Sequence, residues 1–327
     1  MADSEFALIR RYFARPAPDG VLGVGDDCAL LPPMAGHMAI STDLLIEGIH
    51  FFPDVDPVAL GHKALAVNLS DLAAMGATPR AFVLALALPK VDHAWLDGFS
   101  RGLLALADAH GCALIGGDTT RSPQGIAIDV TIFGEVPGQL ALRRDGAQVG
   151  DDIWVSGMLG DADIALRLLL ADGSVSDPDG RVLAATRTAL EWPQPQVALG
   201  LALRGVATAA LDISDGLAQD LGHILSASGV GADLQLADLP LSPTLSALPA
   251  ALARRSALTG GDVYQLCFCA PPSARIDLAA LAQRLALPLT RVGRIKAASG
   301  LRVFDEQGHE LPPVAGGFDH FGNGQPG

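Results

Sequence analysis

Apolar residues follow two patterns along the chain: spacings of three and four residues, and short continuous runs bounded by polar residues. The first pattern predicts helices and the second predicts buried strands. In the first part of the chain, helices are predicted over residues 6–13, 56–75 and 92–110, and strands over 28–31, 38–41, 81–88, 112–115 and 126–136. Asp56 before Pro57 is typical of a helix start, and Gly76 is typical of a helix end. Helices and strands therefore interleave.

The same interleaving continues after a polar segment. Pro137-Gly138 and residues 143–152 interrupt the pattern, which predicts a first domain over 1–140 and a second over 147–327. In the second, strands are predicted over 153–156, 207–213, 232–236 and 263–269, and helices over 163–170, 182–190, 217–226 and 276–285. A chain of 327 residues is longer than one typical core. The predicted fold class is α/β or α+β, with two domains.

Composition and charge narrow the possible functions. Half of the residues are hydrophobic and 18% are charged, which predicts a globular chain. The net charge of −14 argues against a nucleic-acid partner, because binding to a phosphodiester backbone depends on lysine and arginine. Lysine occurs only at Lys63, Lys90 and Lys296, so a phosphate ligand would be held by arginine, backbone N–H groups or a metal. A general genomic preference for arginine would give the same composition.

The cysteines and the apolar runs indicate the compartment. Cys28, Cys112, Cys267 and Cys269 include no C-x-x-C pair, which is typical of buried, reduced thiols. Residues 1–13 carry charged side chains among the apolar ones, unlike a signal peptide. No run approaches the roughly 18 apolar residues that a membrane span needs. We therefore expect a soluble, cytoplasmic protein with no membrane partner.

Several aspartates share one type of position, at the end of an apolar run and beside glycine, serine or threonine. They are Asp26, Asp27, Asp43, Asp71, Asp118, Asp212 and Asp215. Each alone is typical of a helix N-cap. If the strand ends converge, however, the crowded carboxylates would raise one another's pKa values unless cations neutralise them. Mg²⁺ is the expected cation, because it takes hard oxygen ligands and shares them with nucleotide phosphates.

The glycine-rich segments do not match the familiar nucleotide-binding loops. Gly23-Val24-Gly25 is followed by Cys28 where a dinucleotide fingerprint needs its third glycine. The sequence also lacks the P-loop motif and the H-R-D and D-F-G motifs of protein kinases. An ATP site in this chain would therefore depend on metal ions.

Six segments, in order, resemble the thiamine-monophosphate kinase family, which belongs to an aminoimidazole ribonucleotide synthetase-like superfamily. They read GVGDDCALL, ISTDLLIEGIHF, KALAVNLSDLAAMGATP, LIGGDTTR, LDISDGLAQDLGHIL and GFDHFG. The resemblance implies direct, ATP-dependent phosphorylation of thiamine monophosphate to thiamine diphosphate, with release of ADP, as the last step of coenzyme synthesis. It also implies an N-terminal α/β domain whose sheet contributes to a homodimer interface, and a C-terminal α/β domain.

The same resemblance assigns site residues by motif. Positions that bind Mg²⁺ are matched by Asp27, Ser41, Thr42, Asp43, Asp71, Asp118, Asp212 and Asp215. Of these, Asp43, Asp118 and Asp215 are the expected catalytic residues. ATP contacts are matched by Gly117, Asp118, Arg144 and Ser214, and contacts to thiamine monophosphate by His50, Asp262 and Phe318. His50 is expected to bind substrate and not to act as a base, and Phe318 is expected to stack on the aminopyrimidine ring.

One segment departs from the family pattern. Residues 260–266 read GGDVYQL where the family has GGEDYEL, so two carboxylates are lost and one is shortened at Asp262. The charge of Asp262 is expected to favour the cationic thiazolium ring, and a turn cap is the alternative role. Two other functions stay open at this point: another ATP-using member of the superfamily, and a non-catalytic sensor of thiamine phosphate or nucleotide. The complete set of aspartates favours the kinase.

Overall fold

The computed structural model describes residues 5–25, 28–312 and 317, and these form two compact units. Unit 1 holds the described residues up to Leu72 together with Ala77–Gln139. Unit 2 holds Ala73–Gly76 and the described residues from Leu140 onward. Asp27 and Phe318, two of the predicted site residues, lie outside the described residues. None of the described helices is both long and apolar enough to cross a membrane.

Unit 1 is built on a four-stranded mixed sheet. Its elements are α1 (Glu5–Tyr12), β1 (His37–Ile46), α2 (Pro57–Ala74), β2 (Thr78–Leu88), α3 (His93–Ala109), β3 (Ala113–Arg121) and β4 (Ala127–Val136). The strand order is β1-β4-β2-β3. β2 and β3 run parallel, whereas the other neighbouring strands run antiparallel.

The position of the long helix α2 is determined by its packing, and this helix carries Asp71, one of the predicted site aspartates. Asp56 accepts a hydrogen bond from the Val58 N–H at its first turn, as a capping residue does. A Cβ on Gly61 would lie 2.0 Å from the Phe99 carbonyl oxygen, so glycine lets α2 and α3 approach closely. Residues 59–70 are buried throughout, which is typical of a helix enclosed on all sides.

The two faces of the unit 1 sheet differ. β4 alternates strictly between buried and half-buried residues, as expected for a sheet packed on one face. On the edge strand β1, the residues that point away from the packed face include Met38, Ile40, Leu44 and Ile46. Their side chains are 39% to 59% exposed. The outer face of this sheet therefore presents a row of large apolar side chains to solvent.

Unit 2 is built on a six-stranded sheet with the order β10-β7-β9-β5-β8-β6. Its strands are β5 (Asp152–Ser156), β6 (Ala209–Asp212), β7 (Gly231–Gln235), β8 (Leu266–Ala270), β9 (Leu289–Lys296) and β10 (Gly300–Phe304). Its helices are α4 (Asp161–Leu169), α5 (Arg181–Glu191), α6 (Val197–Ala202), α7 (Leu217–Ser228), α8 (Pro243–Ser246), α9 (Ala250–Thr259) and α10 (Arg275–Leu285). One large apolar core lies between the central strands and α7.

Residues 28–31 do not form the predicted strand. Leu30 makes a single bridge to Leu22, and Pro32 and Pro33, which follow, lack the N–H groups that a strand ladder needs. Cys28 is exposed there, so the prediction of a buried thiol was wrong for this cysteine, although the other three are buried.

β9, β10, α6, α8 and α9 were not predicted from the sequence. In β9 the pairing with β5 skips Val292, so the regular alternation of a strand is broken. The helices α6 and α8 have six and four residues, too few for a periodic pattern. β8 begins at Leu266 and not at 263, because Tyr264 has a positive φ of 52° that a strand does not accommodate.

Candidate active site

Asp43 and Asp71 form a hydrogen-bonded carboxylate pair in unit 1. Asp43 lies inside β1, and Asp71 lies near the C-terminal end of α2. Burial, and then the negative charges of Asp71 and Asp129, raise the pKa of Asp43 to about 7. Ser41 Oγ donates a hydrogen bond of 2.5 Å to Asp71 Oδ2. Two carboxylates this close are stable only with a shared proton or a cation between their oxygens.

Asp118 and Asp129 lie in one row across the outer face of the same sheet. Both are in register with Ala85 of β2, Asp118 from β3 and Asp129 from β4. Thr42 Oγ1 donates to Asp129 Oδ1 at 2.9 Å and so extends the polar contacts to β1. Asp129 was not among the predicted site residues. Its signal in the sequence is a carboxylate inside an alternating strand, which has a second carboxylate, Glu135, near its end.

Asp43 and Asp118 lie inside strands and not at the strand ends that the sequence pattern indicated. β1 continues beyond the predicted end at residue 41 to Ile46, and β3 continues beyond residue 115 to Arg121. Asp43 and Asp118 are therefore inside strands, where Asp43 pairs with Val130. Ladder hydrogen bonds to β4 and β2 here override the preference of aspartate and glycine for turns.

Gly117 allows β3 to pair closely with β2 directly before Asp118. It has a φ of +151°, and a Cβ at this position would lie 1.9 Å from the Leu84 carbonyl oxygen. Any side chain would force the two strands apart. Gly117 thus determines where Asp118 lies on the sheet.

His50 lies in the turn that follows β1. Its Nδ1 accepts a hydrogen bond of 2.9 Å from the Ile46 N–H, and its carbonyl oxygen accepts one of 3.5 Å from Lys63 Nζ. In the neutral ring the proton is therefore on Nε2. A histidine held in this way is suited to donate a hydrogen bond to a ligand oxygen.

In unit 2, Asp212 and Asp215 lie at the start of the connection from β6 to α7. Asp212 is the last residue of β6 and is buried. Asp215 is half-buried, and its Oδ2 accepts a hydrogen bond of 3.2 Å from Gln219 Nε2. Two of the predicted Mg²⁺ ligands thus lie together at the end of β6 and in the short connection that follows it.

Asp220 organises this connection, although it was not among the predicted site residues. The N–H groups of Ser214, Asp215 and Gly216 each donate to its Oδ2 at 3.0 Å. Burial raises the pKa of Asp220 to about 6, and the charge of Asp215 adds to this rise while the three backbone bonds oppose it. The only sequence signal is an acidic residue in the first turn of a predicted helix.

The segment that carries Asp262 packs along the same connection. The Asp262 N–H donates to the Ser214 carbonyl oxygen at 2.8 Å, and the Tyr264 N–H donates to that of Ile213 at 2.7 Å. Asp262 and Tyr264 have positive φ values of 59° and 52°, which are uncommon for residues other than glycine. Tyr264 Oη donates to Asp262 Oδ1 at 3.0 Å. Backbone strain of this kind clusters at functional sites.

The neighbours Arg143 and Arg144 differ in what they contact. Arg143 forms a two-point ion pair with Asp145. Arg144 is exposed, and its guanidinium forms no ion pair with any residue that the structure describes. Its carbonyl oxygen accepts a hydrogen bond of 2.8 Å from Ser228 Oγ. Arg144, and not Arg143, is therefore the arginine suited to an anionic ligand.

The donor sets of both units fit Mg²⁺, because they consist of carboxylate and hydroxyl oxygens. Unit 1 supplies Ser41, Asp43 and Asp71, and unit 2 supplies Asp212 and Asp215. Within the described part of the chain, no three His, Cys, Asp or Glu side chains come together as a ready-made metal site. The assignment of these residues to Mg²⁺ therefore stays a prediction.

Family models match both parts of the chain. The model described as AIR synthase related protein, N-terminal domain, matches residues 25–136, and the model for the C-terminal domain matches residues 148–306. Together with the two sheets, these matches confirm the predicted α/β class with two domains.

Individual relatives match over the full length. Thiamine-monophosphate kinase of Escherichia coli K12 is 45% identical, over 98% of this chain and 99% of its own. A crystal structure of thiamine-monophosphate kinase from Stenotrophomonas maltophilia is 46% identical with a TM-score of 0.82, covering 93% of this chain and 96% of its own. The structure of AaThiL complexed with AMPPCP and TMP is 31% identical with a TM-score of 0.74, covering 91% and 92%. This chain therefore belongs to the thiamine-monophosphate kinase family.

Proposed function

We propose that this chain transfers the γ-phosphate of ATP to thiamine monophosphate and releases thiamine diphosphate and ADP. The observation that carries the proposal is the match to thiamine-monophosphate kinases, at 45% identity over 98% of the chain. AaThiL, solved with AMPPCP and TMP, is similar over 91% of the chain. AMPPCP is an analogue of ATP, so those two ligands correspond to the donor and the acceptor of one phosphoryl transfer.

We infer that Mg²⁺ is bound by the predicted oxygen donors of the two units. They are Asp27, Ser41, Thr42, Asp43, Asp71, Asp118, Asp212 and Asp215. The raised pKa of Asp43, caused by burial and by Asp71, supports this inference because a bound cation would relieve the repulsion between these carboxylates. When bound, Mg²⁺ supplies charge neutralisation and orientation for the phosphate groups.

The acceptor needs no general base from the chain. A phosphate monoester has a second pKa of about 6, so its oxygen is largely ionised near neutral pH. The obstacle is the approach of one anion to another, which positioning and charge neutralisation overcome. His50 is suited to bind the acceptor through Nε2, because its Nδ1 already accepts the Ile46 N–H. Arg144, which is exposed, is suited to neutralise a phosphate of ATP.

Each of the other site residues is assigned to one of the two substrates. We infer that Gly117, Asp118, Arg144 and Ser214 contact ATP, and that His50, Asp262 and Phe318 contact thiamine monophosphate. In unit 2, the Asp262 N–H donates a hydrogen bond of 2.8 Å to the Ser214 carbonyl oxygen. This bond supports a site in which Asp262, a contact to thiamine monophosphate, lies beside Ser214, a contact to ATP.

Purified protein incubated with Mg-ATP and thiamine monophosphate is expected to form thiamine diphosphate and ADP in equal amounts. Unphosphorylated thiamine is expected to be a poor acceptor, because its alcohol would need a base that the site does not provide. Chromatographic quantification of both products is the measurement. Release of ADP alone would indicate an ATPase, binding without turnover would indicate a sensor, and rapid phosphorylation of thiamine would contradict the mechanism.

We also propose that the chain forms a homodimer through the outer face of the unit 1 sheet. Met38, Ile40, Leu44 and Ile46 are large, apolar and 39% to 59% exposed on an edge strand. Soluble monomers rarely leave such a row uncovered, since it invites association. A second copy would cover it with the same residues, as a two-fold interface requires.

Ile40→Glu is expected to convert the dimer to a monomer, because a buried interface carboxylate would have no partner charge. Ile276→Glu is the matched control, since Ile276 lies on α10 of unit 2 and is 82% exposed. Sedimentation velocity of the wild type and both variants is the measurement. A wild type that sediments as a monomer, or an Ile40→Glu variant that stays dimeric, would contradict the proposed interface.

A further inference from the structure

Asp220 occupies a position that would otherwise bind an anion. It lies in the first turn of α7 and is only 4% exposed. The N–H groups of Ser214, Asp215 and Gly216 all point at its Oδ2, each at 3.0 Å. Successive backbone N–H groups that converge in this way form a concave anion site, of the kind that holds phosphate in other proteins. Here a carboxylate of the chain itself fills that site.

The three hydrogen bonds to Asp220 determine the conformation of the turn before α7. Because its N–H groups point inward to Asp220, its carbonyl groups are turned toward the Asp262 segment. The Ser214 carbonyl oxygen accepts from the Asp262 N–H at 2.8 Å, and the Ile213 carbonyl oxygen accepts from the Tyr264 N–H at 2.7 Å. The turn is thus fixed from both sides, by a carboxylate and by a neighbouring backbone segment.

Gly216 adds a steric reason for the same conformation. Its φ is +124°, and a Cβ would lie 2.8 Å from the Thr259 carbonyl group. With the backbone fixed in this way, the direction of the Asp215 side chain is set by the turn and by the bond from Gln219 Nε2 to Asp215 Oδ2.

The contacts of Asp220 differ from those of another aspartate in the same unit that accepts backbone N–H groups. Asp177 lies three residues before Gly180, the N-cap of α5, and accepts from the N–H groups of Val182 and Leu183 in the first turn of that helix. Asp220 lies inside its helix and reaches back to residues that precede it. The carboxylate of Asp220 therefore holds the turn before the helix through all three backbone bonds.

We propose that Asp220 is a positioning residue, which holds the turn of Ser214, Asp215 and Gly216 so that Asp215 meets Mg²⁺ and Ser214 meets the nucleotide. The residue touches neither ligand and acts through the backbone of the residues that do. This inference rests on the proposed function for the roles of Asp215 and Ser214.

Asp220→Asn tests the proposal, because asparagine has the same shape but accepts the three N–H bonds without the charge that strengthens them. We expect kcat to fall about fivefold and the Mg²⁺ concentration for half-maximal activity to rise at least about threefold, since neutral hydrogen bonds are about half as strong. Asp220→Ala removes the acceptor and is expected to lose more activity than Asp220→Asn. Asp177→Asn, which changes an aspartate bonded to the first turn of α5, is expected to leave both quantities at the wild-type level.

A second readout does not depend on turnover. The rise in melting temperature that Mg-AMPPCP gives to the wild type is expected to be smaller in Asp220→Asn and unchanged in Asp177→Asn. An Asp220→Asn protein that folds and keeps the wild-type kcat, Mg²⁺ requirement and thermal shift would overturn the proposal, even if Asp220→Ala failed to fold. A wild type that makes no thiamine diphosphate but responds to Mg-AMPPCP would refute the proposed reaction, and the thermal shifts of the variants would still test Asp220.

Discussion

Asp43→Asn is expected to lower kcat about a thousandfold, as the loss of a group that stabilises transition-state charge does. The magnesium-free variant is expected to be at least as stable as the wild type. Asp43 is hydrogen-bonded to Asp71 and lies near Asp129, so its charge is disfavoured in the folded chain without a cation. Asparagine removes that charge and keeps the shape. Steady-state kinetics with thermal unfolding in the presence of a chelator are the measurements.

Asp56→Asn is the matched control in the same unit. Asp56 accepts the Val58 N–H at the start of α2, and asparagine caps a helix about as well as aspartate. This variant should keep both its kcat and its stability. If Asp43→Asn instead lowered the melting temperature of the magnesium-free protein and kept kcat, the role of Asp43 would lie in the fold and not in the reaction.

The raised pKa of Asp43 predicts that the stability of the magnesium-free protein depends on pH. The pKa of Asp43 rises from 3.8 to about 7 on folding, so the folded chain favours the protonated form. That contribution is fully present below pH 3.8 and is lost as the pH rises through about 7. Between about pH 5.5 and about pH 8, the magnesium-free wild type should lose about 2 kcal/mol of unfolding free energy that Asp43→Asn does not lose.

Urea unfolding of both proteins at the two pH values checks this difference. Comparison with the variant removes the effect of the other titrating groups, which are common to both. Equal losses in the two proteins would mean that Asp43 ionises normally in the folded chain. Added Mg²⁺ should reduce the difference, because a bound cation favours the ionised carboxylate.

The elements that have a clear local signal in the sequence were predicted. Asp56 and Pro57 indicated the start of α2, and the apolar run of residues 81–88 indicated β2, which extends to Thr78. The bounds of β1 and β3 were not predictable in the same way. Their second halves carry threonine, aspartate and glycine, and they are strands because β4 and β2 provide ladder partners far away in the sequence.

The candidate site was predicted only in part, because some of its contacts also depend on residues brought together by the fold. Asp43 and Asp71 belong to long motifs, so the resemblance to the family named both, but only the fold shows that they share a hydrogen bond. Asp220 has no such signal. Its role depends on a turn in which three N–H groups face one oxygen, and no spacing of residue types encodes that geometry.

The departures from the family pattern near Asp262 have separate explanations in the structure. Val263 is 9% exposed and packs in the core of unit 2, where a carboxylate would be costly. Gln265 Oε1 accepts a hydrogen bond of 2.7 Å from Ser156 Oγ, which an uncharged side chain can do. Of these three positions, Asp262 is therefore the one that keeps a carboxylate, and it is half-buried.

Asp262→Asn is expected to raise the KM for thiamine monophosphate about tenfold, a loss of about 1.4 kcal/mol, and to leave the KM for ATP nearly unchanged. The thiazolium ring is cationic, and a carboxylate favours it by charge, which asparagine does not. The substitution isolates that charge. Asparagine tolerates the positive φ of 59° at this position and still offers Oδ1 to the Tyr264 hydroxyl, so the turn should be preserved.

Asp179→Asn is the control for a general loss of negative charge, because Asp179 is exposed in the same unit. It should leave both KM values at the wild-type level. If Asp262→Asn also left both unchanged, Asp262 would be a turn residue without a role in substrate binding, since asparagine serves a turn equally well. If both KM values rose together, the charge would instead support the Ser214 turn, to which the Asp262 N–H is bonded at 2.8 Å. A rise for thiamine monophosphate alone is the result that places the carboxylate beside the cationic ring.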